Sequence, residues 1–268
     1  MTEANNIFKD VPCTFCGCLC DDLIIEVDGD RIVKNTNGCP ISKERFIGHA
    51  ENRCLQPTVN GKIVTLEQAV ERAAEIIASS KRPLFYGLSS TENDAQREVY
   101  RLAELARGVV DNTTSVCHGP TILGAQESGE AASALAEVRH RSDLVIYWGA
   151  NPAAAHPRHI PHYIRQPGEY IKDPKKDRQI WLVDIRETTT ARMADRFIRI
   201  EPKTDLEVLQ TLRALIRGNK LDVSEVGGIK ITELEEIATA MKSAKYGTLF
   251  FGLGLTQSWG RHRNIDAA

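Results

Sequence analysis

No apolar run in the chain approaches the roughly 20 residues that a membrane-spanning helix needs. The opening residues, Met1-Thr2-Glu3-Ala4-Asn5-Asn6, lack the basic and apolar stretches of a secretory signal. Neither sign of charge is in excess: 34 Lys and Arg stand against 36 Asp and Glu, a net −2. Nothing electrostatic therefore points to nucleic acid or an anionic membrane as partner. Neither a Gly-x-Gly-x-x-Gly loop nor a Walker phosphate loop is present, so the ordinary dinucleotide and ATP fingerprints are missing. The expected compartment is the cytoplasm, where thiols stay reduced and clustered cysteines bind metal more often than they form disulfides. At 268 residues, 42% hydrophobic and 26% charged, the chain can bury a large core in one large domain or two modest ones.

Cysteine is present, and unevenly spread. Five of the seven fall within the first 39 residues, in Cys13-Thr14-Phe15-Cys16-Gly17-Cys18-Leu19-Cys20 and Asn37-Gly38-Cys39-Pro40. Two residues separate Cys13 from Cys16, three separate Cys16 from Cys20, and eighteen separate Cys20 from Cys39. Three close thiolates and one distant one suit a [4Fe–4S] cluster, whose four ligands converge tetrahedrally. Zinc also accepts four cysteines, usually as two short-spaced pairs. A second pair is absent here, since Cys39 stands alone. The pattern favours iron and sulfur over zinc or no metal, and leaves Cys18 as a spare thiol.

Between these cysteines, Leu23 to Val27 and Arg31 to Lys34 flank Asp28-Gly29-Asp30, a hairpin signal. Ser42 to Glu51 reads as a short helix. Residues 1–57 are too poor in apolar side chains for much of a core, and a bound metal would supply the missing stability.

From Lys62 onward strands and helices alternate. Thr65-Leu66-Glu67-Gln68 predicts a capping box, followed by Leu66, Ala69, Val70, Ala73, Ile76 and Ile77 on one helical face. Strands are predicted at 83–87, 143–147, 179–185, 197–200 and 247–252, and helices at 94–107, from Thr204-Asp205 to Ile216, and at 232–242. Such alternation argues for an α/β fold with a doubly wound, mostly parallel sheet. The last residues, Arg261 to Ala268, read as a helix just beginning, as if more chain followed or a second polypeptide completed the fold.

Several loops carry candidate chemistry. Cys117 and His118 lie between the apolar pair Val109-Val110 and a predicted helix from Pro120. A cysteine there can act as a thiolate or a metal ligand, and His118 can move a proton. The plainer reading is an ordinary loop cysteine. Gly149-Ala150-Asn151-Pro152 and Asp184-Ile185-Arg186 follow predicted strands, where open α/β sheets bind ligands. The histidines at 156, 159 and 162 are interrupted by Pro157 and Pro161 and read as a polar loop, and Asp173 to Arg178 reads as a solvated surface segment.

In combination these stretches resemble the molybdopterin oxidoreductase superfamily and, within it, the formylmethanofuran dehydrogenase B subunits. The resemblance is carried by Cys13 to Asp22, Ser115 to Pro120, Tyr147 to Pro152 and Gly260 to Asp266, in that order. It implies a small iron–sulfur hairpin domain (1–57), an α/β domain with a metal-ligand loop (58–140), and a pterin-dinucleotide-binding α/β domain (141–268), the fold of formate dehydrogenases and DMSO reductase. It further implies that Cys13, Cys16, Cys20 and Cys39 ligate a [4Fe–4S] cluster and that Cys117 ligates tungsten or molybdenum carried by bis(molybdopterin guanine dinucleotide). His118 stands beside that metal. Gly149, Asn151, Pro152, Asp184, Arg186 and Asp205 match the loops that hold the dinucleotide. The implied reaction is reduction of CO2 to formate, which an amidohydrolase-like partner subunit condenses with methanofuran, with electrons arriving from ferredoxin-type carriers. The alternatives are a formate dehydrogenase of the same superfamily, or a redox-silent scaffold subunit of a formyltransferase/hydrolase complex, which need not keep the cysteines. Family members are considerably longer than this chain.

Overall fold

The computed structural model describes residues 6–51, 53–89 and 91–268, so the reading of the first five residues lies outside it. By its internal packing the chain divides into two compact units, one formed by residues 1–46 with 119–268 and the other by 47–118.

The first unit opens on a three-stranded antiparallel sheet of β1 (Asn6–Val11), β2 (Leu23–Asp28) and β3 (Arg31–Thr36), with β2 central. The Asp28–Arg31 pair closes the predicted hairpin, and Gly29 makes the turn at φ +55°. Its small core consists of Leu23 and Ile25 packed with the thiols of Cys13, Cys18 and Cys20. Cysteine thus does the packing that the segment's few aliphatic residues leave undone. Helix α1 (Pro40–Ile47) then begins at a proline, the residue best suited to a first helical position, and continues as a 3₁₀ turn over Gly48–Ala50.

The second unit contains the two-residue strands β4 (Thr58–Val59) and β5 (Lys62–Ile63), then α2 (Leu66–Ser79), β6 (Leu84–Gly87), α3 (Asn93–Leu105), β7 (Val109–Asn112) and the one-turn α4 (Thr114–Cys117). The capping box is formed: the Thr65 hydroxyl accepts from the Gln68 amide at 3.3 Å, and the Gln68 side chain accepts from the Thr65 amide at 3.0 Å. The apolar stripe, by contrast, is not buried, and Leu66, Val70 and Ile76 remain exposed. Strands β6 and β7 pair in parallel on either side of α3 in the chain, the strand–helix–strand grammar the sequence predicts.

The first unit resumes with α5 (Gly119–Ser128) and α6 (Leu135–Arg141), then β8 (Leu144–Trp148), α7 (Pro152–Ala155), β9 (Gln179–Asp184), β10 (Arg196–Arg199) and α8 (Asp205–Ile216). There follow the two-residue hairpin β11 (Glu225–Val226) and β12 (Ile229–Lys230), α9 (Ile231–Ser243), β13 (Gly247–Phe251), α10 (Leu253–Thr256) and α11 (His262–Ala267). Four strands make one all-parallel sheet in the order β10-β9-β8-β13. Its central strand reads Leu-Val-Ile-Tyr-Trp with every residue buried, the continuous apolar run of a strand covered on both faces. Val145 and Tyr147 pack with Val138, Ile160 and Ile164 on one face, and Leu144, Ile146 and Trp148 pack with α8 and α9 on the other. The sheet is therefore doubly wound. Each Leu, Ile or Val so buried contributes about 1.5–3 kcal/mol relative to exposure.

Two surface readings are corrected. Arg178, expected in a solvated segment, is 1% exposed, and its guanidinium donates to the carbonyls of Ser142, Val138, Arg139 and Ile164. The histidine loop contains a π-helical turn, Ile160–Ile164, and buries His159 between Tyr147, Tyr163 and Phe250. Proline did not prevent a turn of helix there because the wider π turn takes Pro161 near its start, where no intrahelical donor is required. Among the described residues no helix is long and apolar enough to cross a membrane.

Candidate cofactor sites

The cysteine loop is closed by its own backbone, the Cys13 amide donating to the Cys20 carbonyl at 2.7 Å. Gly17 and Leu19 take positive φ, +77° and +47°, which turns the short loop back on itself between Cys16 and Cys20. Cys39 joins them from the start of α1: it immediately precedes Pro40, its carbonyl accepts from Lys43, and its sulfur accepts from the Ser42 amide at 3.5 Å. Gly38 is required at this point, since a Cβ would stand 2.5 Å from the Asn35 side chain, which itself donates to Ser42.

All five cysteines are free thiols, with Cys13, Cys18 and Cys20 buried. Burial pushes the Cys18 thiol up strongly, and the neighbouring Cys16 adds to the effect. Cys18 is thus held protonated and turned into the small core, at 1% exposure. One zinc ion with thiolates at about 2.3 Å brings its sulfurs to about 3.8 Å of one another. Among the described residues no three cysteine sulfurs gather within 4.8 Å. The sulfur-only donor set is more open than a single tetrahedral ion requires.

A cation backs this loop. Arg158 Nη1 and Nη2 donate to Asp22 Oδ1 and Oδ2 at 2.5 and 2.6 Å, and the Tyr163 hydroxyl donates to the Cys18 carbonyl at 2.5 Å. The Asp22 carboxyl is held below the usual range chiefly by its hydrogen bonds from Arg158. Burial raises the Cys20 thiol while the Arg158 charge pulls it back down. Asp21, Asp22 and His162 also lie close enough to share an ion, but Asp22 already carries the guanidinium.

Cys117 closes α4 at the end of the loop that follows β7, half-buried, with the exposed His118 as the helix cap. The amides of Cys117 and His118 donate to Thr113 and Thr114 at 3.0 and 2.8 Å, and the Asn112 side chain receives the Thr114 amide at 2.9 Å. The two side chains are therefore set on a firm turn at the carboxyl end of a parallel strand.

The predicted ligand loops meet at the carboxyl end of the larger sheet. The chain steps from β8 to β9 to β10, then returns to lay β13 on the other side of β8, so its direction reverses at β8. Such a reversal opens a crevice between diverging loops. A cleft of about 450 Å³ lies there, lined by Gly149, Asn151, Asp184, Arg186 and Asp205, together with Lys203, Gln257 and Ser258. Pro152, the first residue of α7, is buried behind it. Asn151 is fixed by the hydroxyls of Thr189 and Thr190, which donate to its Oδ1 at 2.9 and 2.7 Å. Asp205 is buried with both oxygens engaged, by Trp148 Nε1 at 2.8 Å and by the Ser258 hydroxyl. It organises the cleft wall, whereas Arg186 is exposed and free to meet an anionic group.

The β13–α10 contribution to this cleft was not read from the sequence. Gly149 sits at φ +55°, and its Cβ would meet the Gly254 backbone at 2.7 Å; one on Gly252 would meet the Gly149 carbonyl at 2.5 Å. The signal that could have found it is Gly252-Leu253-Gly254 directly after a strand, two glycines where two backbones must touch.

No protein-family model matches the chain. The B subunit of the tungsten-containing formylmethanofuran dehydrogenase 2 of Methanococcus maripaludis is 40% identical to it over 271 residues, and its namesake in Methanocaldococcus jannaschii 39%. Each alignment covers 98% of this chain and 62% of the relative, so the chain spans less than two thirds of the length of these relatives. Among solved structures, acetylene hydratase from Pelobacter acetylenicus superposes with a TM-score of 0.69 over 97% of this chain and 42% of that one, at 15% identity. That likeness is one of fold.

Proposed function

The chain belongs to the family of formylmethanofuran dehydrogenase B subunits, and from that premise we propose that it is the redox subunit of such an enzyme, reducing CO2 to formate. Cys13, Cys16, Cys20 and Cys39 hold a [4Fe–4S] cluster, Cys117 holds tungsten or molybdenum, and the cleft at the β8 reversal holds part of a pterin guanine dinucleotide. When bound, the metal–pterin group supplies two-electron chemistry on a one-carbon substrate. The observation that carries the reading is the cysteine loop together with Cys39: an open, sulfur-only donor set, two of whose four thiols, Cys13 and Cys20, are buried.

The roles of the chain's own residues follow from their chemistry. Cys117 anchors, its thiolate being the strongest metal donor on its turn. His118 holds or delivers a proton at its ring nitrogen, which exposure leaves accessible. Gly149 lets backbone approach the dinucleotide closely, Asn151 presents its amide N–H as a donor and Asp184 a carboxylate acceptor, and Arg186 pairs with phosphate. Pro152 and Asp205 hold the cleft's shape. The relatives are each one subunit of a larger enzyme, which implies companions for this chain. An amidohydrolase-like subunit that joins formate to methanofuran and a ferredoxin-type carrier supply the remaining chemistry. On this reading residues 1–57 are the electron inlet, 58–140 bring the metal ligand, and 141–268 hold the dinucleotide.

Anaerobic purification with its companion subunits, followed by metal analysis and EPR, tests the proposal. About four irons and one tungsten or molybdenum per chain are expected, with the second metal lost in Cys117→Ala. Zinc alone, or full turnover by that variant, overturns it.

A further inference from the structure

We infer that Arg158 sets the reduction potential of the iron–sulfur cluster, acting as a fixed positive charge that Asp22 locks onto the loop carrying Cys20. The inference rests on the cluster assignment proposed above and deepens it, naming the group that adjusts how readily an electron enters. Arg158 lies between α7 and the π-helical turn, far from the cysteines in sequence, and reaches them in the fold. Both terminal nitrogens engage both Asp22 oxygens, at 2.5 and 2.6 Å, a fork-to-fork pair that fixes the plane of the guanidinium. Asp22 follows Cys20 by two positions, so the charge is tied to the loop that carries the sulfur. On its other side His162 Nδ1 stands 3.2 Å from Nη2, and Tyr163 grips the Cys18 carbonyl from the same turn.

The electrostatic consequence has a definite sign. Asp22 holds the guanidinium on the loop two residues past Cys20, so its positive charge stands near that sulfur and favours added negative charge there. One-electron reduction adds one negative charge to a cluster, so a cation fixed beside a ligand favours the reduced form and raises the potential. Cys20 is 5% exposed, and water screens the effect poorly there. The Asp22 carboxylate acts in the opposite sense. As a stabilising ion pair alone, a partly exposed bridge of this kind contributes little.

The test is an EPR-monitored redox titration of the full-length protein purified anaerobically, with iron and sulfide analysis on each variant. Arg158→Gln removes the cation and leaves the carboxylate, so the ratio of reduced to oxidised cluster at the wild-type midpoint should fall about tenfold, a shift of about 59 mV for one electron. Arg158→Lys should stay near the wild-type midpoint, and Asp22→Asn should move it upward. Opposite shifts from the two halves of one salt bridge are not produced by mere loosening of the loop, which would affect both variants alike. Unshifted midpoints in Arg158→Gln and Asp22→Asn, each with full iron, overturn the inference and leave the cluster assignment standing. A wild-type protein that binds no cluster removes both. Should Arg158→Gln lose its iron, Asp22→Asn decides: an upward shift supports the inference and an unchanged midpoint overturns it.

Discussion

The indole Nε1 of Trp148 donates to Asp205 Oδ1 across 2.8 Å, joining the last residue of β8 to the first of α8 inside the core. Asp205→Ala strands that buried N–H and frees Ser258 from the other oxygen, so it should cost about 1–3 kcal/mol. Asp205→Asn keeps an acceptor for Trp148 and should cost less. Urea titration followed by tryptophan fluorescence measures both; equal losses in the two variants would count against the hydrogen bond as the cause.

Arg178 is a second internal fastener, buried with four carbonyls around it and no carboxylate partner among the described residues. Burial lowers its pKa, but the carbonyl cradle replaces the water it has lost. Arg178→Met should destabilise by about 3–5 kcal/mol, because carbonyls at the ends of α6 and the π-helical turn lose their donor together. Arg178→Lys should recover only part of this, since an ammonium cannot match the planar fork. Thermal unfolding of the three proteins ranks them.

Gly149 tests the cleft. Gly149→Ala places a methyl against Gly254 at 2.7 Å in a left-handed backbone, and should cost about 1–3 kcal/mol while pushing the β8 and β13 loops apart. Dinucleotide content of the purified protein should fall with it. An alanine variant of wild-type stability and cofactor content would show that the two loops need not touch.

The pH dependence of stability should carry the mark of His159, whose pKa is lowered to about 4 by burial and then by the neighbouring His156. An unfolded histidine titrates near 6.5, so the neutral ring stabilises the fold fully above that value. Between about pH 6.5 and 4 the unfolded chain binds the proton first, and about 3 kcal/mol is lost as pH falls. His159→Phe removes the titrating group and should flatten this decline. Urea midpoints at several pH values across the window check it, and an equally steep decline in the variant would assign it to other groups.

The thiol spacing, the Thr65 capping box and the strand–helix alternation were legible in the chain, because each depends on neighbours within a few residues or on a short period. That the loops after these strands would share one cleft was legible for a related reason. Strand ends in a parallel sheet are marked by the apolar run that precedes them, and Gly149, Asn151, Asp184 and Arg186 stand just past such runs.

Long-range packing decided the rest. A string of charges around Arg178 looks solvated until the end of α6 and the π-helical turn direct their carbonyls toward one guanidinium. His159 looks polar until Tyr147 and Phe250 close over it. The apolar face of α2 looks like core, yet Leu66, Val70 and Ile76 are left outside. Local sequence determines which segments become helix, strand or thiol loop, because those choices depend on backbone sterics and short-range hydrogen bonds. Which side chains end up desolvated, and that Arg158 should come to rest on Asp22 of the cysteine loop, depends on elements brought together only by the fold.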